Sequence, residues 1–464
     1  MNKQNNRKIP FFIFIAFLFC ALILCACTAG PDGDNPINSI LSIFTTQTPI
    51  PEQIVTGTQT VIPEASPEAI PTQEAAAAAE SVPESPTAVP TPEVFALQLW
   101  VPPQFDPEQD VPGGNALAAA IAAYTELHPN VTISVRVKAA TGDSSMLNTI
   151  TAASHIAQST LPTLALISRG TMETMVQRGL IQPITTNIFS DSTTWYSYAR
   201  QSAAIDNTIY GIPVLGDGLV LTYRTARVGQ EMTDWPDILT RGLPIAFAPA
   251  VSNSLFGTFI YLSLGGKLTN DQGQPYLDQQ KLTDTLNFFL TGGQNGAFPP
   301  SLGQLVDQNQ AWQRFADGTM SLIVSQFSTF RHYQDTQIYA MALPTPQNYL
   351  DYPLVNTWNL VLVKNDPVIQ QTAVDFAEYL ADITVNDQLS LSAGYLPVRN
   401  SAHESWANDP IFERINPIVE NAALIPNNQI SNKLIPIINN AVAQVVRNQQ
   451  TPEAAALEAV EGLN

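Results

Sequence analysis

Cysteine is almost missing from this 464-residue chain, and its three copies, Cys20, Cys25 and Cys27, all fall within the first 27 residues. From residue 28 onward there is no thiol, so the body can form neither a disulfide nor a cysteine-based metal site. Histidine is nearly as scarce. His128, His155, His332 and His403 are scattered, with no His-Glu-x-x-His or comparable spacing, which argues against zinc. Basic residues are few as well, 20 Lys plus Arg against 40 Asp plus Glu, for a net charge of −20. A chain this acidic is poorly suited to nucleic acid or to an anionic lipid surface. There is also no Gly-x-Ser-x-Gly elbow and no phosphate-cradling glycine-rich loop followed by Lys-Ser/Thr. Neither a metal nor a cofactor is expected. Acidic pairs suited to glycoside hydrolysis are not excluded by counting, but nothing in the sequence singles one out.

What is present begins with a segment unlike the rest. Lys3, Arg7 and Lys8 precede an apolar run, PFFIFIAFLFCALI, at residues 10–23, and no acidic residue occurs before Asp32. A basic start, an apolar stretch and small residues after it read as a processed export signal. The competing reading is an uncleaved anchor, since the run approaches the roughly 18 apolar residues of a spanning helix. The ending Leu24-Cys25-Ala26-Cys27 resembles the lipobox of bacterial lipoproteins. That resemblance implies a signal peptide at 1–26 and a lipid on the Cys27 thiol, which becomes the first mature residue. It also implies attachment at the outer face of the cytoplasmic membrane. Removing residues 1–26 takes away three positive charges and no negative ones, so −20 becomes −23. Membrane attachment is therefore expected from the lipid anchor and not from a basic patch.

Residues 28–94 carry 11 prolines, nine acidic residues and no Lys or Arg, with an alanine tract at Ala75–Ala79. Proline at this density denies the backbone a helix or a strand ladder, and the segment has too little apolar surface to offset the entropy of ordering. With Cys27 it reads as a disordered tether, 27–94, reaching about 45 to 200 Å between the flexible-coil and extended limits. The short apolar run Ile37–Phe44 is the one stretch where order is expected.

From residue 95 on, some 370 residues exceed the size at which one core stops growing, so two domains are expected. Strand-like and helix-like patterns alternate. Ala96–Val101 and Thr132–Val137 read as strands around an amphipathic helix, Asn115–His128. Helical Met146–Ser159 is followed by a strand at Thr163–Ile167 and a helix, Met172–Arg178, that stops at Gly179. Such alternation implies an α/β fold with mainly parallel sheets and right-handed crossovers. Asn270-Asp271-Gln272-Gly273 lacks the alternate acidic residues and the closing Glu of a calcium loop, and reads as a β-turn.

The order of blocks along the body resembles the extracellular solute-binding proteins of the sugar type, the receptor subunits of ABC importers. The blocks are LQLWVPP, YTELHPNVTISV, LPTLALISRGTMETMVQRGLIQPI, IYGIPVLGDGLVLTYRT, TDWPDIL, AWQRFADGTMSLIVSQFSTF and VDFAEYLADITVNDQLSLSAGYLPVRNSA. Each is short; their order over about 300 residues carries the likeness. Thr163 stands where the family usually has Asp, and Asn356-Thr357-Trp358 replaces a commonly glycine-rich turn. The resemblance implies a two-lobed clamshell of the type II periplasmic-binding-protein kind. Lobe 1 is expected at 95–217 plus 343–395, and lobe 2 at 218–342 plus 396–464. It implies a monomer that captures a small solute, above all a carbohydrate, delivers it to ABC permease subunits and is not an enzyme. Two rivals stand beside it: a surface sensor or adhesin that uses the same fold without transport, and a cell-surface hydrolase.

Open α/β sheets hold ligands beyond the carboxyl ends of their strands. Under the resemblance, that rule nominates Trp100, Ser168 and Arg169 in lobe 1, Asp217 at the first crossing, and Asn253, Gln326 and Phe327 in lobe 2. Asn356 and Trp358 follow on the return, taken as a loop, and Tyr395 at the last crossing. A sugar offers an apolar face and a ring of hydroxyls, so it calls for an aromatic plate beside amides, carboxylates or guanidinium groups. Trp100, Phe327, Trp358 and Tyr395 are candidate plates; Arg169, Asp217, Asn253 and Gln326 are candidate polar partners. Each has a plainer reading: hinge packing for Trp100 and Tyr395, core for Phe327, a surface ion pair for Arg169. Trp195, Trp312 and Trp406 are expected to be packing residues, and Trp235 to open a helix after Thr233-Asp234.

Overall fold

The computed structural model describes residues 93–463 apart from 230–231, 233, 334–336, 346–353 and 401–404. Cys27, the signal and the tether lie outside the described residues.

The chain starts with β1 (Phe95–Val101), α1 (Pro112–Leu127) and β2 (Val131–Val137), then α2 (Met146–Ile156), β3 (Leu164–Ser168) and α3 (Arg169–Gln177). β1 pairs in parallel with β2 on one side and β3 on the other. Successive residues of a strand face opposite sides of the sheet, and β1 obeys this closely. Leu97, Leu99 and Val101 join the main core with Leu117, Tyr124 and Phe376, whereas Trp100 enters a second core with Met146, Ile150, Met172 and Met175. Helices therefore cover both faces. α3 begins at Arg169, three residues before the sequence reading, because the Ser168 hydroxyl accepts from the Thr171 amide and caps it.

Two short strands, β4 (Ala204–Ile205) and β5 (Thr208–Ile209), form a hairpin before the long strand β6 (Gly211–Arg224). β6 belongs to both halves of the molecule. Its first part pairs with β10 (Leu354–Leu362), and its second, from Leu219, pairs with β8 (Leu322–Gln326) and β9 (Ile338–Ala342). β7 (Ile245–Ala246) lies parallel to β8, and a short β11 (Ala423–Leu424) pairs with the start of β10. In the first half β1, β2, β3 and β6 point one way, and β10 with the short β11 runs the other. In the second half β6 is the reversed strand, so each sheet is mainly parallel.

The second half is packed by α4 (Phe256–Ser263), α5 (Gln279–Gln294), α6 (Gln308–Ala316) and α7 (Phe327–His332). Its core is aromatic: Phe247, Phe256, Phe289 and Phe298 meet at ring separations of 5.1 to 6.2 Å. The chain then supplies α8 (Pro367–Leu380) and α9 (Ile383–Ala393), which pack on the first half. It ends with α10 (Phe412–Asn421), α11 (Asn428–Val446) and α12 (Pro452–Glu461), which pack on the second. Asn270–Gly273 is a turn: the Gly273 amide donates to the Asn270 carbonyl at 2.9 Å, with φ +74° at Gly273.

Candidate functional site

The halves meet where β6 passes through Gly216-Asp217-Gly218. Gly216 exchanges two backbone hydrogen bonds with Leu396, both 2.8 Å. It has no room for a side chain, because a Cβ there would lie 2.5 Å from the Tyr198 hydroxyl. Opposite Asp217 on β10 stands Asn356, and Trp358 follows two residues later on the same face. The sequence reading placed Trp358 in a loop. It lies instead inside β10, with a bulge between Trp358 and Asn359.

This face is one wall of a cleft of about 560 Å³. Ser252, Asn253 and Leu255, from the segment after β7, and Gln326, at the carboxyl end of β8, line it from the second half. Ile425 and the first turns of α11, through Ser431, Asn432 and Ile435, complete it. Among the lining residues Asp217 is the one ionisable side chain, and it is already engaged. Its carboxylate accepts from the Ser328 amide at 3.1 Å and the Ser328 hydroxyl at 2.6 Å. The amides of Gly218 and Phe327 also donate to it. Asp217 thus caps α7 from the neighbouring strand. Burial pushes its carboxyl up to about 6 in spite of these donors.

Trp358 is the one aromatic side chain among the lining residues. Its indole is half-buried and meets Phe105 edge-on at 5.3 Å; Phe105 in turn packs on Tyr395 at 5.3 Å. This backing holds the ring in place beside Asn356, Asn253, Gln326, Ser431 and Asn432, a set of neutral donors and acceptors.

Five of the ten nominated residues therefore line one cleft: Asp217, Asn253, Gln326, Asn356 and Trp358. The other five do not. Trp100 is 3% exposed in the second core, its Nε1–H donating to Gln98 Oε1 and Lys138 Nζ lying 4.5 Å from its ring centre. Ser168 caps α3. Arg169 pairs with Glu173 at 3.0 Å and donates to the Gln201 carbonyl. Phe327 is wholly buried against Phe330 and Trp406. Tyr395 stands behind Phe105, with a side-chain hydrogen bond to Ser328. Residues at or after strand ends thus divide between the cleft wall, as Asn253 and Gln326 do, and the cap of the next helix, as Ser168 does. The residues of α11 were missed. Its pattern, PNNQISNKLIPIINN, marks an amphipathic helix without marking which polar face looks into a cleft.

The two halves are also joined beside the cleft. Glu173 Oε2 accepts from the Asn428 amide at 2.8 Å, at the start of α11, while Asn428 Nδ2 donates to the Gly170 carbonyl and to Thr174 Oγ1. Among the described residues no group of three or more His, Cys, Asp or Glu side chains is arranged to hold a metal, and no helix is long and apolar enough to cross a membrane.

A binding cleft between two α/β halves, crossed by a shared strand, defines a ligand receptor. Residues 119–414 match the family of bacterial extracellular solute-binding proteins, and the chain belongs to that family. It is a solute receptor of the kind that serves ABC importers, working outside the cytoplasm. Similar solved structures include the sugar-binding protein MalE of Xanthomonas citri (TM-score 0.64, 17% identity, covering 80% of this chain and 96% of that one). The GacH receptor of Streptomyces glaucescens, solved unliganded and with acarbose, gives a TM-score of 0.63 at 16% identity over 80% and 97% of the two chains. Maltose-bound MalE3 of T. maritima gives 0.64 at 13% identity over 80% and 99%. These likenesses are to the fold. No curated protein matches the sequence.

Proposed function

We propose that this receptor binds a neutral carbohydrate in the Trp358 cleft, closes over it and presents it to an ABC permease. It is held to the membrane by a lipid on Cys27 and catalyses no reaction. The observation that carries the reading is the composition of the cleft. One braced indole faces amides and hydroxyls from both halves, and the one carboxylate is taken up by a helix N-terminus. An apolar ring face beside paired hydrogen-bonding groups matches a sugar, and the lack of any free charge disfavours phosphorylated or strongly cationic solutes. The named ligands of the similar structures, maltose and acarbose among them, support the same class.

Residues 95–217 with 343–395, and 218–342 with 396–464, act as the two lobes. Ligand touching both favours the closed arrangement by its differential affinity, about 5.5 kcal/mol for a swing from 1:99 to 99:1. The tether raises the effective concentration of the receptor at the permease without any new contact. Thermal-shift screening of the full chain against neutral, anionic and cationic solutes tests the class, since a ligand at 100 times its Kd adds about 2.7 kcal/mol. Stabilisation by neutral saccharides is expected; stabilisation only by charged solutes would overturn the reading. Loss of radiolabelled-lipid incorporation in Cys27→Ser tests the anchor separately.

A further inference from the structure

α11 holds a proline, Pro436, in its interior, well beyond the first turn where that residue is harmless. In an α-helix each N–H donates to the carbonyl four residues back. Proline has no N–H, so the Asn432 carbonyl loses its helical donor, and the pyrrolidine ring crowds that same carbonyl away from the ladder. The next amide, that of Ile437, belongs in the ladder to the Lys433 carbonyl.

The gap falls on the cleft side of the helix. Asn432 and Pro436 both line the cleft, as do their neighbours on that face, Ser431 and Ile435. A helix carbonyl points along the axis toward the residue four ahead, so the released oxygen lies between two lining residues. Asn432 is exposed and Pro436 half-buried, which leaves this turn open toward the cleft. The face is also held in place. One turn further on, Asn439 Nδ2 donates to the Val251 and Ser254 carbonyls at 2.8 and 2.9 Å, tying α11 to the segment that supplies Ser252 and Asn253. An interior proline is among the costliest residues a helix can hold, and such departures from local preference are expected at functional sites. The released carbonyl supplies what the cleft is short of. Its one carboxylate is taken up by Ser328, and the other side-chain acceptors are amide and hydroxyl oxygens that belong to groups able to donate as well. A main-chain carbonyl only accepts, so it selects a hydroxyl that keeps its proton.

We infer that the Asn432 main-chain carbonyl, released by Pro436, is a ligand contact that accepts a hydrogen bond from a hydroxyl of the bound saccharide. Pro436 is a positioning residue, present for the acceptor it frees. This inference rests on the carbohydrate reading and adds to it a specificity determinant drawn from the backbone. A sugar whose hydroxyl at that place is removed or methylated loses the contact.

The test titrates the full chain and its Pro436→Ala and Pro436→Val variants with glucose, maltose and maltotriose by calorimetry. Either substitution restores an N–H at position 436, and the second keeps a branched apolar side chain where the ring stood. Hydrogen exchange at the new amide reports whether it takes the Asn432 carbonyl, and needs no ligand. That amide is expected to exchange slowly, neither variant to lose thermal stability, and both to bind about fivefold more weakly each sugar that the unaltered chain binds. Weakening in Pro436→Ala alone would mean that the ring itself makes the contact. Unchanged affinity in both variants would mean that the carbonyl serves no ligand, and fast exchange at position 436 in a folded chain would mean that it already has another donor. Each of these three results overturns the inference while leaving the carbohydrate reading intact. Failure of all three sugars to bind the unaltered protein would overturn both.

Discussion

Ser328 donates twice to Asp217, through its amide to Oδ1 and through its hydroxyl to Oδ2, so a residue of the crossing strand caps a helix of the second half. The strand passes between the halves at this point, and the cap ties its path to the orientation of α7. The same carboxylate lines the cleft, which couples the chemistry of the crossing to that of the binding site.

This arrangement has a pH signature. Burial raises the Asp217 carboxyl from 3.8 to about 6 in the folded chain. Between those values the folded state holds the proton more tightly than the unfolded state, so stability from this group is present below about pH 4 and lost as pH rises through about 6. A shift of this size bounds the loss at about 3 kcal/mol. Urea unfolding across that range should show native stability falling relative to Asp217→Asn, which cannot titrate. A difference between the two that stays constant with pH would contradict the assignment.

Gly216 is fixed on both sides. Its amide and carbonyl are paired with Leu396, and the Tyr198 hydroxyl, itself bonded to the Pro397 carbonyl, fills the space where a Cβ would stand. Gly216→Ala should cost about 1–3 kcal/mol by overpacking, measured by chemical denaturation. A neutral substitution would show that the crossing yields more easily than this geometry allows.

Glu173, on α3, adds an acceptor for the first amide of α11 beside that helix's own N-cap, Asn427, and it holds the first half to the helix that lines the cleft. Removing an N-terminal acceptor costs about 0.5–2 kcal/mol. Glu173→Ala should lose that amount, and Glu173→Gln, which keeps an oxygen for the Asn428 amide, should lose clearly less. Equal losses in equilibrium unfolding would mean that the ion pair with Arg169, not the bond to the Asn428 amide, is what Glu173 contributes.

How far the sequence could be read is clear from particular residues. β1, β2 and α1 lie within a few residues of their predicted positions because alternation and helical spacing there are strong. The family order and the crossing at Gly216-Asp217-Gly218 were legible too. The orientations of aromatic side chains were not. Trp100 and Trp358 both stand on strands, yet one faces a methionine-rich core and the other the cleft. Which sheet face meets a helix is decided by packing from distant parts of the chain. Phe327 and Tyr395 lie close to the site in sequence but turn inward, toward Trp406 and Phe105. Trp312 read as a packing residue and is one, buried against Tyr333 and Phe315.

The most direct test of the account is the affinity of Trp358→Ala for the neutral saccharide that gives the largest thermal stabilisation of the unaltered chain. Trp358 supplies the one aromatic plate in the cleft, and truncating a central anchor of this kind typically costs 2 kcal/mol or more, roughly a 30-fold loss. Calorimetric titration is expected to show at least that weakening with the fold intact. Binding by Trp358→Ala as tight as that of the unaltered protein would contradict the placement of a carbohydrate in this cleft.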